Sequence, residues 1–418
     1  MLIEFSVKNF ASLKDKVTLT MEKGSGNENP ENVIEKYDLL KNVAIYGANA
    51  SGKSNLLKAF HAALTMIRNS NIMPIGGTWD FLVPFMFDDN SKNNKTEFEF
   101  IFVTNNTKYR YSFTADKYKI YDEILDAYYS QKPTNVFTRV NTNEYTFTSD
   151  KQKLESLASK NTDNKLFLTT ATTWNYDKTR DAFMWFQKYI DVYDSFDKIT
   201  DRDLISYSNI DSSLKDFALK LLREADILIK DIHVDYKERE VDSRTLDLLV
   251  PPLDITEERY KIKNINIELE HEVISGNKEY TYKLNLKNES SGTKILFVLA
   301  PFLKQAFTTN KVIFIDELEK SLHPNLVLFI IKLFNNKKIN KANSQLIFTT
   351  HDINLLDIDI LRRDQIWFTE KNPDSGITSL YPLDSFSVRK DENIKKGYIN
   401  GRYGAIPFIK DIDLWLEE

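Results

Sequence analysis

An α/β fold built on a parallel sheet is predicted by three observations. The apolar run Val43-Ala-Ile-Tyr46 enters the segment Gly47-Ala-Asn-Ala-Ser-Gly-Lys-Ser54 and then the helical stretch Asn55-Leu-Leu-Lys-Ala-Phe60. A second run, Val312-Ile-Phe-Ile315, is apolar throughout and ends in the acidic pair Asp316-Glu317. A third, Gln345-Leu-Ile-Phe-Thr349, leads to Thr350-His351-Asp352. Strands without polar alternation are those buried on both faces, as in a parallel sheet.

The first run carries the sharpest chemistry. Gly47, Gly52, Lys53 and Ser54 fit the pattern G-x-x-x-x-G-K-[ST] in the order strand, loop, helix. Glycines let the backbone wrap a polyphosphate with its N–H groups inward, the lysine reaches the outer phosphates, and the serine hydroxyl is left for Mg²⁺. Asn49 and Asn55 belong to the same phosphate-binding segment. The segment implies binding of ATP or GTP. In the second run, Asp316 is placed to hold Mg²⁺ and Glu317 to act as general base toward an attacking water. Lys53 and Asp316 are separated by more than half of the chain, so a large segment is inserted between the halves of the site.

Ahead of the acidic strand stands Glu289-Ser290-Ser291-Gly292-Thr293, opening the apolar helical stretch Lys294–Ala300. Ser290 alone reads as a helix N-cap. Taken in order with the glycine-rich loop, Asp316-Glu317 and His351, these segments resemble the ABC-type ATPase heads of the SMC, RecF and OLD lineage. The C-terminal segments Leu361–Phe368, Val388–Ile394 and Gly397–Pro407, with Asp316–Pro324 and the opening Ile3–Phe10, resemble more narrowly the RloA-like ATPases. That bacterial family is linked to phage defence, and the PARIS defence ATPase AriA is a relative.

The resemblance implies a P-loop NTPase head of ABC/SMC type with an antiparallel β subdomain and an inserted helical arm. It implies ATP and Mg²⁺ as cofactors, with Lys53, Glu317 and His351 catalytic, Ser54 and Asp316 on the metal, and His351 sensing the γ-phosphate. Ser290, Ser291 and Gly292 would act in trans, at a helix N-terminus facing ATP held by a second protomer, with Glu319–Pro324 at the dimer seam. Ser291 and Thr293 depart from the usual LSGGQ. The partners implied are a second copy or a higher homo-oligomer, a separate effector such as a Toprim-like nuclease, and a nucleic-acid or phage-protein trigger. The function implied is an ATP-dependent switch in abortive infection. The alternatives are a self-contained OLD-like nuclease, for which Asp357-Ile-Asp359 has suitable spacing but too little chain follows, and a RecF/SMC-like repair ATPase.

The expected organisation is an N-terminal lobe over residues 1–129, an inserted helical arm over 130–274 and a C-terminal lobe over 275–418. In the first lobe Ile3–Phe10 and Val17–Met21 alternate as strands, Gly24–Pro30 is a loop, and Thr96–Thr104 with Lys108–Ala115 forms a hairpin about Asn105-Asn106, joined by Tyr121–Tyr129. Phe81–Phe85 falls where such heads place a glutamine-bearing loop, and no glutamine is present. Helical spacing is predicted over Lys151–Ser159, Thr179–Tyr193 and Ser212–Ile229, and strands return over Asp231–Lys237, Asn264–Glu270 and Tyr280–Leu286. The aromatic residues Trp174, Tyr176, Phe183, Trp185 and Phe186 read as core at this spacing, or else as a stacking face.

Composition bounds the remainder. With 418 residues, 42% of them hydrophobic, the chain can bury a large core. Zero cysteines exclude disulfides, thiolate catalysis and Cys-ligated metals. A net charge of −5 does not favour a nucleic-acid binder over its whole surface. Charge within the first residues argues against a signal peptide, and no run is long enough to span a bilayer, so a cytoplasmic location is expected. Of the five histidines, His61, His233 and His271 stand isolated in sequence, which predicts no metal cluster outside the nucleotide site.

Overall fold

In chain order, β1 (Leu2–Lys8) and β2 (Val17–Thr20) precede the short strands β3 (Val33–Ile34) and β4 (Leu39–Leu40), and β5 (Asn42–Tyr46) leads into helix α1 (Lys53–Asn69). The computed structural model describes residues 1–193, 204–225, 227–242, 259–275, 278–389 and 392–407. After the single turn α2 (Asp89–Lys92) come β6 (Thr96–Thr104), β7 (Thr107–Ala115), β8 (Ile120–Tyr128), β9 (Thr134–Val140) and β10 (Glu144–Thr146). Helices α3 (Lys151–Ala158), α4 (Phe167–Thr173) and α5 (Asp177–Lys188) precede β11 (Ile190–Tyr193). Helix α6 (Ser212–Glu224) is followed by β12 (Ile229–Asp242), β13 (Arg259–Ser275), β14 (Lys278–Asn285) and α7 (Ser291–Thr309). The chain continues through β15 (Val312–Ile315), α8 (Pro324–Asn335), β16 (Gln345–Thr349), β17 (Ile366–Lys371), β18 (Thr378–Pro382) and α9 (Ile394–Ile399).

Two sheets make the larger of two compact units, which takes residues 1–194, 306–319 and 327–418. One has the order β11-β15-β16-β5-β17-β18, parallel except for the antiparallel edge strand β18. The other is antiparallel throughout, β10-β9-β8-β7-β6-β1-β2. The predicted hairpin about Asn105-Asn106 is present, both residues adopting the left-handed conformation a tight turn needs. Phe60 of α1 joins the two layers: its ring stacks on Phe314 of β15 at 3.9 Å and meets Phe5 of β1 and Phe100 of β6 edge-on at 4.9 and 5.5 Å.

The expected break at residue 129/130 falls between neighbouring strands of the antiparallel sheet, β8 and β9. Residues 130–193 are part of the larger unit: β9 pairs with β8, Phe137, Leu168 and Phe186 lie in its hydrophobic core, and a buried polar network adds to this. Glu123 on β8 accepts hydrogen bonds from the N–H groups of Phe167 and Leu168 at the start of α4, at 2.6 and 2.8 Å, and from the Tyr111 hydroxyl at 2.9 Å. Arg139 on β9, wholly buried, donates to the Lys165 carbonyl at 2.6 Å and lies 3.7 Å from Glu123. Burial pushes the Glu123 carboxyl up, against the pull of Arg139 and these donors. Tyr176, Trp185 and Phe186 are core, Trp185 lying flat on Phe102 at 4.0 Å, whereas Trp174 is exposed beneath the Lys160 ammonium.

The second unit takes residues 195–305 and 320–326. It is not helical alone: besides α6 it contains the antiparallel sheet β12-β13-β14, so the inserted segment is mixed in character. The expected boundary at 274/275 lies at the end of β13. One face of the sheet carries Ile232, Ile265, Ile267 and Leu269, all buried. Among the described residues no helix is long and apolar enough to cross a membrane.

The C-terminal segment packs on the larger unit by its aromatic residues. Tyr398 and Tyr403, both buried, lie 5.5 and 5.9 Å from Phe368 of β17. Arg362 and Arg363 fasten the 23–29 loop. Arg362 pairs with Asp364 at 2.6 Å and donates to the Gly26 carbonyl at 2.9 Å, and Arg363 Nε meets Glu28 Oε1 at 3.0 Å. Burial raises the Glu28 carboxyl, but the Arg363 hydrogen bond and charge outweigh it and bring its pKa down to about 2.

A depressed carboxyl stabilises the fold above its unfolded pKa, and the contribution disappears as pH falls through the folded value. Glu28→Gln is therefore expected to cost roughly 1–2 kcal/mol near neutral pH. Urea midpoints measured from neutral pH downward should converge with the wild type between about pH 4.5 and 2. A difference independent of pH would rule the ion pair out as its source.

Candidate functional site

The predicted site residues of the larger unit sit at the carboxyl ends of adjacent parallel strands. Gly47 leaves β5, Asp316 leaves β15 and His351 follows β16, which lies between them. Ligands of open α/β sheets bind at this edge. The remaining predicted group, Ser290 to Gly292, belongs to the second unit. There Ser290 Oγ accepts from Thr293 N at 3.1 Å, capping α7, and a Cβ on Gly292 would stand 3.1 Å from the Ser321 carbonyl oxygen.

The glycine-rich loop is shaped by what surrounds it. A Cβ on Gly47 would come within 2.5 Å of the Thr369 carbonyl oxygen, so no larger residue fits. Gly52 has φ of +113°, outside the range of L side chains, and faces Thr378. Two threonines on β17 and β18 brace the loop: Thr369 Oγ1 meets Ser51 Oγ at 2.6 Å, and Thr378 Oγ1 donates to the Ser51 carbonyl at 2.8 Å. Asn55 Nδ2 donates to Ser12 Oγ at 2.8 Å, and Thr378 Oγ1 reaches the same hydroxyl at 2.8 Å. Asn49 is exposed and Ser54 partly so.

Lys53 is buried and folded over its own loop, Nζ donating to the carbonyls of Gly47 and Ala48 at 2.7 and 3.1 Å. Burial lowers its pKa, opposed by the negative charges of Asp316, Glu317 and Glu319. These groups therefore share one electrostatic neighbourhood. His351 lies in it too: partial burial and then the Lys53 charge hold its pKa below the usual value against the three carboxylates.

Thr349, the last residue of β16, ties the acidic pair together. Its hydroxyl donates to Asp316 Oδ1 at 2.5 Å and accepts from Glu317 N at 2.8 Å. Glu317 has φ of +51°, a left-handed conformation costing a non-glycine residue about 1–2 kcal/mol; the chain turns there immediately after Asp316. Glu319 Oε1 accepts from the N–H of His351 at 2.6 Å.

Asp316 and the Ser54 hydroxyl offer the hard oxygen ligands that Mg²⁺ prefers. Lys53 is one cation among the carboxylates of Asp316, Glu317 and Glu319, and one oxygen of Glu319, Oε2, together with Asp352 Oδ2, is buried without a hydrogen-bond partner. An excess of half-buried carboxylates with orphaned oxygens fits a divalent cation.

Thr349, Thr369, Thr378 and Ser12 were not foreseen from the sequence; they contact the site through hydrogen bonds to both side chains and backbone. A threonine ending an apolar strand was the visible signal for Thr349. The three histidines that stand apart in sequence are not all isolated in the fold. His233 Nε2 is 2.8 Å from Glu270 and 3.9 Å from Asp231, a cluster able to hold a metal ion, although Asp231 already pairs with Lys215 at 2.6 Å. His271 meets Glu289 at 2.6 Å. Strand pairing of β12 with β13 makes the cluster, by setting Asp231 opposite Glu270.

Thr349→Val keeps the shape and removes the bridging hydroxyl. It should cost about 1–3 kcal/mol, because Asp316 loses a donor and the Glu317 N–H loses its acceptor, whereas Thr349→Ser should retain most of the stability. Denaturant unfolding of the three proteins checks this, and a Val variant as stable as the wild type would remove the bridge from the account.

Among solved structures, one titled "Crystal structure of the SmcHead bound to the C-winged helix domain of ScpA" aligns over 91% of this chain and 97% of that one, with 15% identity and a TM-score of 0.40; a likeness that slight adds nothing to the argument. No curated protein matches. A family model described as "AAA domain, putative AbiEii toxin, Type IV TA system" matches residues 43–357, from the strand before the glycine-rich loop to beyond His351. The match spans most of the sequence, and the chain belongs to this AAA-domain family.

Proposed function

We propose that the chain is an Mg²⁺-dependent ATPase whose heads pair around ATP and which switches a separate effector in anti-phage abortive infection. The observation that carries the ATPase reading is the gathering of the Gly47–Ser54 loop, Asp316-Glu317 and His351 at the carboxyl ends of three adjacent parallel strands. In this reading the Lys53 ammonium exchanges its loop carbonyls for phosphate oxygens. Ser54 and Asp316 hold Mg²⁺, which when bound neutralises phosphate charge. Glu317 accepts the proton of the attacking water, and His351 offers a hydrogen bond near the γ-phosphate.

The family description names a putative toxin of a toxin–antitoxin system, which supports a role in such defence. The self-contained nuclease reading is the weaker one. Asp357 and Asp359 are exposed, and Asp357 Oδ1 accepts from the Asp359 N–H at 2.9 Å as a turn-forming residue does. Pairing in trans rests on Ser290, Ser291 and Gly292, whose helix N-terminus suits an anionic partner group.

Lys53→Ala is expected to abolish ATP binding, whereas Glu317→Gln should bind ATP with Mg²⁺ and fail to turn it over, as read by equilibrium binding and phosphate release. Wild-type hydrolysis by Glu317→Gln would overturn the general-base assignment.

Shared sites predict recovery on mixing. Lys53→Ala and Gly292→Asp chains, each inactive alone and each checked for folding by thermal melt, should regain ATPase when combined, because a mixed dimer keeps one intact composite site. A mixture as inactive as its parents would count against sites built by two chains.

A further inference from the structure

Phe87 is an aromatic side chain held at the surface, with the Lys371 ammonium 6.0 Å from its ring centroid. It is 74% exposed, yet its position is set from several sides. Phe85, buried, meets it edge-to-face at 5.6 Å. Gly376, with φ of +70°, passes so close that a Cβ there would come within 2.7 Å of the ring. The backbone is fixed on either side. Phe85 N donates to Asn9 Oδ1 at 3.1 Å, and Asp88 caps α2 through Asn90 N at 3.0 Å while pairing with Lys14 at 3.1 Å. An exposed aromatic ring costs free energy in water, and here the fold holds it in place rather than burying it.

The ring borders a cavity of about 1160 Å³ whose other wall includes Ala48 to Ser51 of the glycine-rich loop, large enough for a nucleoside. Its charged lining is Lys14 and Lys371 against Asp88, Glu370 and Asp374. Acidic groups outnumber basic ones, and Lys14 is already paired, so the cavity is unsuited to phosphate and suited to the uncharged part of a ligand whose phosphates lie on the loop.

We propose that this cavity takes the base of the bound nucleotide, stacked on Phe87. The proposal rests on the phosphate-binding reading of the glycine-rich loop and adds a base-recognising residue to it. Stacking on an aromatic side chain is tolerant of base identity, so Phe87 supplies affinity for the nucleoside part rather than a choice among bases. The ring is pre-positioned, and little side-chain freedom is lost on binding.

Calorimetric titration of the full chain with Mg²⁺ separates base from phosphate when ATP is compared with inorganic tripolyphosphate. The wild type should bind ATP at least about tenfold more tightly than tripolyphosphate. Phe87→Ala should lose that advantage and leave tripolyphosphate affinity unchanged, and Phe87→Trp should restore ATP affinity. Equal affinity of the wild type for both ligands, or a Phe87→Ala variant with undiminished ATP affinity, would overturn the base site while leaving the phosphate site intact. A Phe87→Ala variant that weakens both ligands alike would show a structural role instead. A wild type that binds neither ligand would refute the phosphate reading, and the base site with it.

Discussion

The stack of Phe60 on Phe314 fixes the relation between the two halves of the candidate site. Phe60 lies two turns beyond Lys53 on α1, and Phe314 lies two residues before Asp316 on β15. Rings at 3.9 Å leave little freedom to slide, because a close-packed interior has few voids to take up a displacement. The same ring meets Phe5 and Phe100, so the antiparallel sheet bears on the helix from its other side. A lysine and an aspartate distant in sequence are thereby held in one neighbourhood by apolar packing, before any polar contact acts between them.

Polar positioning is then supplied largely by threonines. Thr349, Thr369 and Thr378 are buried, and a buried hydroxyl is costly unless hydrogen-bonded. Each resolves that cost by bonding to the groups that shape the site: Asp316 and Glu317 for Thr349, and the loop around Ser51 for Thr369 and Thr378. β-Branched residues suit strands, so the strands that build the parallel sheet also carry these hydroxyls. The left-handed conformation of Glu317 belongs to the same arrangement, since the chain must turn directly after Asp316.

The site gathers one buried lysine among half-buried carboxylates. Lys53 turns to carbonyl oxygens of its own loop, and oxygens of Glu319 and Asp352 are buried without partners. Groups in this condition gain more from a ligand than solvated ones, because their desolvation has already been met in folding. Phe87 is the apolar counterpart, an ordered ring at the surface beside the same loop.

The sequence by itself determined the local structure. The glycine-rich loop between strand and helix, and the apolar strands that end before Asp316 and before His351, were legible because a glycine-rich turn is a local constraint and buried parallel strands demand unbroken apolar runs. The hairpin about Asn105-Asn106 was legible for the same reason, a tight turn being a local constraint. Only the tertiary structure decided what long-range pairing controls. Residues 130–193 read as part of an arm, yet strand pairing, core packing and the contacts of Glu123 and Arg139 bind them into the larger unit; nothing near either residue in sequence announces the partner. The sheet β12-β13-β14 inside the inserted segment, and the meeting of His233 with Asp231 and Glu270, follow from strand register. Register follows the hydrophobic pattern and the turn, but which distant strands pair is not read from that pattern alone.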